Sequence, residues 1–222
     1  MSRQITNQVN TLTYHSPASP IAEEYRTLRT NIGFSAASGD RICTIVVTSG
    51  SAEEGKTATV TNLAITFAQE GKRVLLVDAD LRKPVLHNIL RSAKSAGLTN
   101  VLRGQAKWQE VVQDTEVQNL SFLAAGTHLN NPLELLNSNS MWNLLEELKA
   151  NFEVILFDSS PCLSVSEPVI LASICDGVVI VTQAGKTKKD AFAKVNNKLE
   201  RARATVLGVV LNNVKDNKRE AL

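Results

Sequence analysis

Six short apolar runs, at 43–47, 74–77, 120–123, 154–157, 178–181 and 206–211, punctuate the chain after its first fifth. They are apolar throughout rather than alternating, the pattern of strands covered on both faces. Between most of them lie stretches with helical spacing, notably 57–70 closed by Gly71, 132–150 and 188–203. Such alternation predicts right-handed βαβ units in an α/β fold: a doubly wound, mostly parallel sheet with helices on both faces.

Ahead of the first run the pattern differs. Residues 1–19 are polar and punctuated by proline, and are expected to form a mobile arm. Ser19 then has the chemistry of a helix cap, with Pro20 at the first helical position and Glu23 and Glu24 in the first turn. Ile21, Tyr25, Leu28 and Ile32 share one face of a helix expected over 20–35, which opens a single domain spanning 20–222.

Composition narrows the function classes. With 222 residues, 43% hydrophobic and 21% charged, the chain suits one domain with a full core. A formal charge of +2 gives no polyelectrolyte attraction to nucleic acid, and Lys186, Lys188 and Lys189 read as solvated surface. The three cysteines, Cys43, Cys162 and Cys175, are irregularly spaced and read as free thiols, which suits a reducing cytoplasm. The start lacks the basic and apolar regions of a signal peptide, and no apolar stretch is long enough to span a bilayer. His15, His87 and His128 have no metal-ligand spacing.

The candidate chemistry begins where the first strand should end. Gly50, Ser51, Ala52, Glu53, Glu54, Gly55, Lys56 and Thr57 have the Walker A spacing between a strand and a helix, with Ala58 in the helix's first turn. Glycines let backbone N–H groups face phosphates, and the helix N-terminus adds a favourable field. Lys56 is expected to reach the β- and γ-phosphates of ATP, and the Thr57 hydroxyl to ligate Mg²⁺. Glu53 and Glu54 would repel a triphosphate, so both are expected to point outward to water.

Three acids follow at strand ends. Asp78 and Asp80 lie one residue apart, so by strand periodicity their carboxylates leave on one face, next to the P-loop if the strands are neighbours. Asp158, after the run 154–157, sits where a carboxylate can hold magnesium or its water. After the last run, Asn212 either offers its amide to adenine or serves as an ordinary turn residue.

Together these residues resemble the bacterial tyrosine kinases of capsule and exopolysaccharide systems, of the kind that occurs as a separate cytoplasmic chain. The resemblance rests on the Walker A loop 50–57, the Walker A′ run through Asp78, Asp80 and Arg82, and the strand ending at Asp158. A further element is Glu23-x-x-Arg26-x-x-Arg29 on the first helix, similar to the family's oligomerisation motif; on spacing alone these charges are a solvated face. The resemblance implies a homo-oligomeric ring, protein-tyrosine substrates, and recruitment to the inner face of the cell membrane by a separate adaptor. It further implies ATP held by Lys56 and Thr57 with Mg²⁺, the metal organised by Asp80 and Asp158, and Asp78 as base or orienter for the attacking hydroxyl. The division of roles among the three acids stays open. Arg82 is expected to add positive charge or to hold Asp80.

The chain departs from the pattern in two places. It carries two tyrosines, Tyr14 and Tyr25, and ends without a tyrosine cluster, leaving Tyr14 on the arm as the candidate self-site. Ser159 and Ser160 stand where relatives often carry prolines. Two other readings compete: a ring-forming ATP-binding regulator without kinase activity, and an ATPase switch of the ParA/MinD type. The switch type carries a lysine early in its P-loop, and Ser51 stands at that position here.

Overall fold

The computed structural model describes residues 11–35, 42–90 and 96–214. Its centre is a seven-stranded sheet built from β1 (Thr44–Ser49), β2 (Val74–Asp78), β3 (Gln113–Asp114), β4 (Leu120–Leu123), β5 (Val154–Asp158), β6 (Gly177–Gln183) and β7 (Val206–Asn212). The order across the sheet is β3-β4-β2-β5-β1-β6-β7. All pairings are parallel except that of the two-residue edge strand β3, which the sequence pattern does not announce.

Every residue of β1, β2 and β5 is buried, which is why these strands read as unbroken apolar runs. Their side chains alternate between two cores. Ile45, Val47, Leu76 and Leu156 face one layer with Val60, Leu63 and Phe67, while Val46, Leu75, Ile155 and Phe157 face the other with Leu144, Leu148, Leu171 and Leu199. The expectation of full cover fails at the outer edge: Val209 and Leu211 of β7 are exposed.

The helices are α1 (Leu12–His15), α2 (Pro20–Ser35), α3 (Lys56–Gln69), α4 (Leu86–Ile89), α5 (Leu98–Leu102), α6 (Trp108–Val111), α7 (Pro132–Leu136), α8 (Asn139–Asn151), α9 (Glu167–Ile174) and α10 (Lys189–Arg201). The single helix expected over 132–150 is two, because Ser138 interrupts it and caps α8 by accepting from the Met141 N–H at 3.3 Å. Ser19 caps α2 as expected, accepting from the Ala22 N–H at 3.2 Å.

The arm expected over 1–19 is, over its described part, a seated segment. Thr13 of α1 is buried, and both its N–H and its hydroxyl donate to Asn62 Oδ1 on α3, at 3.0 and 2.9 Å. A polar stretch carries no sign of attachment along the chain, yet its hydrogen-bonding groups find partners on a helix 49 residues away. Among the described residues no helix is long and apolar enough to cross a membrane.

Candidate nucleotide site

The chain reverses its winding direction around β1, and the carboxyl ends of β1, β5 and β2 lie side by side there, the usual place for a ligand in an open α/β sheet. Gly50 follows β1, and α3 starts at Lys56 with Gly55 as its N-terminal cap. Gly55 has φ of 95°, and a Cβ on it would stand 1.9 Å from the Asn212 amide nitrogen, so glycine is required twice over. Lys56 is buried, while Ser51, Ala52 and Glu53 are exposed at the loop apex.

Glu53 points to water as expected, in the left-handed region at φ of 62°, with Lys186 Nζ 4.0 Å away. Glu54 does the opposite of what repulsion from a triphosphate predicts: it is 3% exposed. Its carboxylate accepts from the Ser51 N–H at 2.9 Å and from the Thr187 hydroxyl at 2.5 Å. Those two donors compensate its burial, which charge reasoning along the chain has no means of foreseeing. Asn212 reaches the loop as well, donating to the Glu54 carbonyl at 3.1 Å.

Asp78 and Asp158 are register partners at the ends of β2 and β5. The Thr57 hydroxyl donates to Asp158 Oδ2 at 2.7 Å, joining the P-loop helix to β5. Asp78 Oδ2 accepts from the Leu86 N–H at 3.1 Å, and Asp80 Oδ1 accepts from the Ser160 hydroxyl at 2.7 Å and the Lys83 N–H at 3.1 Å. Ser160 thus supplies Asp80 with a side-chain hydroxyl donor.

Arg82 does not hold Asp80. Its Nε and Nη2 both donate to Glu167 Oε1, at 2.9 and 2.6 Å. Glu167, almost fully buried at the start of α9, was not singled out in the sequence; an acid in the first turn of a helix carries no signal of a partner 85 residues away. The same is true of Thr187.

Burial makes ionisation costly for the two central acids. Asp78 is raised to about 8, first by desolvation and then by the neighbouring Asp158 charge. Asp158 is raised to about 7 by desolvation, opposed by the Thr57 hydroxyl and by Lys56. Each also keeps one buried oxygen without a hydrogen-bond partner, Asp78 Oδ1 and Asp158 Oδ1. Buried carboxylates in that state fit a cation. Among the described residues no three His, Cys, Asp or Glu side chains form an ion cage of their own. A magnesium ion bound here would therefore complete its shell with the Thr57 hydroxyl, water and phosphate oxygens, its usual manner.

The motif Glu23-x-x-Arg26-x-x-Arg29 is only partly outward. Arg26 pairs with Glu23 and with the Pro17 carbonyl. Arg29 turns inward: its Nη1 donates to the Thr66 carbonyl at 2.8 Å and its Nε lies 3.8 Å from Glu70, fastening α2 to α3. Cys43, Cys162 and Cys175 are not joined in a disulfide.

A glycine-rich turn from a central parallel strand into a helix, with an acid on the adjacent strand bonded to the helix's first hydroxyl, defines a P-loop nucleotide-binding domain. Residues 42–211 match the family model described as AAA domain. The chain is 40% identical over 212 residues to tyrosine-protein kinase YwqD of Bacillus subtilis, covering 95% of this chain and 89% of that one. The crystal structure of the chimerical protein CapA2B2 superposes with a TM-score of 0.88 at 33% identity, over 92% of this chain and 90% of that one. The kinase domain of the Escherichia coli tyrosine kinase ETK gives 0.88 at 28% identity, over 92% and 80%. The chain belongs to the bacterial tyrosine-protein kinase family.

Proposed function

We propose that this chain transfers the γ-phosphoryl group of Mg-ATP to protein tyrosines and thereby regulates capsular or exopolysaccharide synthesis. The observation that carries the reading is the 2.7 Å bond from the Thr57 hydroxyl to Asp158, with the orphaned oxygens of Asp158 and Asp78 beside it. Family membership supports the same chemistry.

Lys56 and the N–H groups of the loop hold the phosphates, and Asn212 braces the loop from the side expected to receive the base. Thr57 and Asp158 would hold a magnesium ion, whose positive charge would offset that of the phosphate oxygens. Asp80 shares this task and is the one acid of the three that is not fully buried, so it is the group best placed to take the proton of an incoming phenol. Asp78, fully buried, orients the start of α4 through Leu86 and reinforces the negative pocket. Arg82, set by Glu167, adds positive charge at the site's rim.

Family membership supports a reading of the partners as a homo-oligomer in ring form, with Glu23 and Arg26 at the subunit contact, and a membrane adaptor whose cytoplasmic tail recruits and activates the kinase. CapA2B2, a chimera by name, supports a kinase joined to a partner segment. Ser51 in place of an early P-loop lysine, its N–H engaged by Glu54, speaks against the dimer-switch reading.

Incubation with Mg-ATP and a glutamate–tyrosine copolymer tests the reading. Phosphotyrosine is expected with magnesium and lost with Asp158→Asn; transfer that survives in that variant contradicts the site.

A further inference from the structure

The two oxygens of the Asp80 carboxylate are held differently. Oδ1 accepts from the Lys83 N–H at 3.1 Å and from the Ser160 hydroxyl at 2.7 Å, whereas Oδ2 has no hydrogen-bond partner among the described residues. The first bond is local: it closes the turn after β2, as an aspartate in such a turn commonly does. The second comes from a residue 80 positions away, just past the end of β5. The terminal torsion of an aspartate is broad and roughly two-fold, so a single donor leaves the carboxylate free to swing. Two donors converging on one oxygen fix its plane.

Ser160 is itself firmly set. It is 4% exposed, its carbonyl accepts from the Thr48 hydroxyl at 3.0 Å, and the neighbouring Ser159 hydroxyl donates to the Val47 carbonyl at 2.8 Å. Two residues further on, the Cys162 N–H donates to the Ser49 carbonyl at 2.7 Å. Residues 159–162 are thus bound to the last residues of β1, directly before Gly50 and the P-loop. From the other side, the Ala79 N–H donates to the Asp158 carbonyl at 2.9 Å and fastens the backbone that carries Asp80 to β5. Through Ser160, the Asp80 carboxylate is referred to the same frame as the loop assigned to the phosphates. A buried hydroxyl needs an acceptor, and Ser159 finds its own in main-chain carbonyls. Ser160 gives its one donor to a carboxylate of the site instead.

We propose, resting on the kinase reading above, that Ser160 is a positioning residue for the acceptor step: its hydroxyl occupies Asp80 Oδ1 and leaves Oδ2 as the oxygen that meets the phenol of an incoming tyrosine. In that step the phenolic oxygen forms a bond to the γ-phosphorus of ATP as the bond from that phosphorus to the β,γ-bridging oxygen breaks. ADP leaves with the electron pair, and the phenolic proton passes to Asp80 Oδ2 and on to solvent. Ser160 enters no bond that is made or broken, and its effect reaches the reaction through the carboxylate.

The role has a kinetic signature. ATP is held by Lys56 and the loop N–H groups, none of which Ser160 touches, so loss of its hydroxyl leaves nucleotide binding in place. What is lost is the alignment of the proton acceptor, which matters in the transition state.

Steady-state transfer to the glutamate–tyrosine copolymer tests this with wild type, Ser160→Ala and Ser160→Thr, each shown to be folded by thermal melting, and with equilibrium binding of ATP measured alongside. In Ser160→Ala, kcat is expected to fall about tenfold, while KM and Kd for ATP stay within about twofold of wild type. Ser160→Thr keeps a hydroxyl on the same carbon and is expected to recover most of the loss. An unchanged kcat in Ser160→Ala overturns the proposal and leaves the kinase reading standing. A weakened ATP Kd that accounts for the loss, or a kcat restored by excess magnesium, also overturns it, by assigning Ser160 to nucleotide or metal binding. Equal losses in Ser160→Ala and Ser160→Thr overturn it in favour of packing. Absence of phosphotyrosine from wild type overturns the kinase reading and this proposal together.

Discussion

Thr187 and Glu54, 133 residues apart, meet at 2.5 Å, the threonine hydroxyl donating to a carboxylate buried inside the P-loop. The same hydroxyl accepts from the Gln183 N–H at 2.9 Å, so its proton is committed to Glu54. With Asn212 on the Glu54 carbonyl, the loop is tied to the ends of both β6 and β7 before any phosphate arrives. An anion-binding loop depends on the fixed aim of its N–H groups, so this tie is a preorganising one.

Glu54→Ala is therefore expected to raise KM for ATP by about tenfold, with a smaller change in kcat, because it loosens ground-state and transition-state binding alike. Glu54→Gln retains an acceptor for only one of the two donors, because Ser51 and Thr187 bond different carboxylate oxygens, and is expected to recover part of the loss. Steady-state kinetics at saturating acceptor separates the two variants; equal KM for Glu54→Ala and wild type contradicts the brace.

Glu167 is expected to act on Arg82 without touching substrate. Glu167→Ala frees the guanidinium and should lower kcat by about tenfold, while Glu167→Gln keeps a hydrogen-bond acceptor and should fall less. A kcat unchanged in Glu167→Ala removes Arg82 from the chemistry.

How much of this was legible beforehand depended on where the partners lie. The P-loop, its strand and its helix are contiguous, so spacing alone located Lys56 and Thr57. Asp78 and Asp158 each end an apolar run, so neighbouring parallel strands bring them side by side, with Asp80 two residues beyond. Glu54 departs from the outward position expected of it, since the repulsion of a carboxylate from phosphate is local whereas its two donors are set by tertiary folding. Of the two expectations for Arg82, added positive charge or a hold on Asp80, the second fails for the same reason: its partner Glu167 lies 85 residues away on another helix. The inward turn of Arg29 and the seating of Thr13 on Asn62 are likewise long-range contacts of polar groups that the hydrophobic pattern leaves blank.

The two raised acids give a pH dependence of definite sign. In the folded protein Asp78 titrates near 8 and Asp158 near 7, against an ordinary value of 3.8. The folded chain therefore binds more protons than the unfolded one across that interval, and stability falls as pH rises through it. Nucleotide-free protein should lose Tm between about pH 5 and pH 8 and level off above, at about 2–4 °C per kcal/mol for a domain of this size. Asp78→Asn should flatten the slope and raise Tm at pH 8.5. A Tm that rises with pH over this range would falsify the assignment of strained, unpaired acids.

Arg29→Ala should weaken the monomer itself. Removing a charged donor from the Thr66 carbonyl costs about 1–2 kcal/mol, reduced somewhat by its partial exposure. Urea unfolding of Arg29→Ala and Arg26→Ala at a concentration where both are monomeric distinguishes the residues: loss is expected for the first and little for the second. Equal loss contradicts their division into fastening and surface roles.

The most direct measurement is the stoichiometry of transfer: purified protein, Mg-ATP and glutamate–tyrosine copolymer, with phosphotyrosine and ADP counted in one reaction and Lys56→Met beside it. Phosphotyrosine is expected to rise with ADP in wild type and both to be absent from the variant, its fold intact by circular dichroism. ADP release that depends on Lys56 without any phosphotyrosine would contradict the kinase and leave an ATPase.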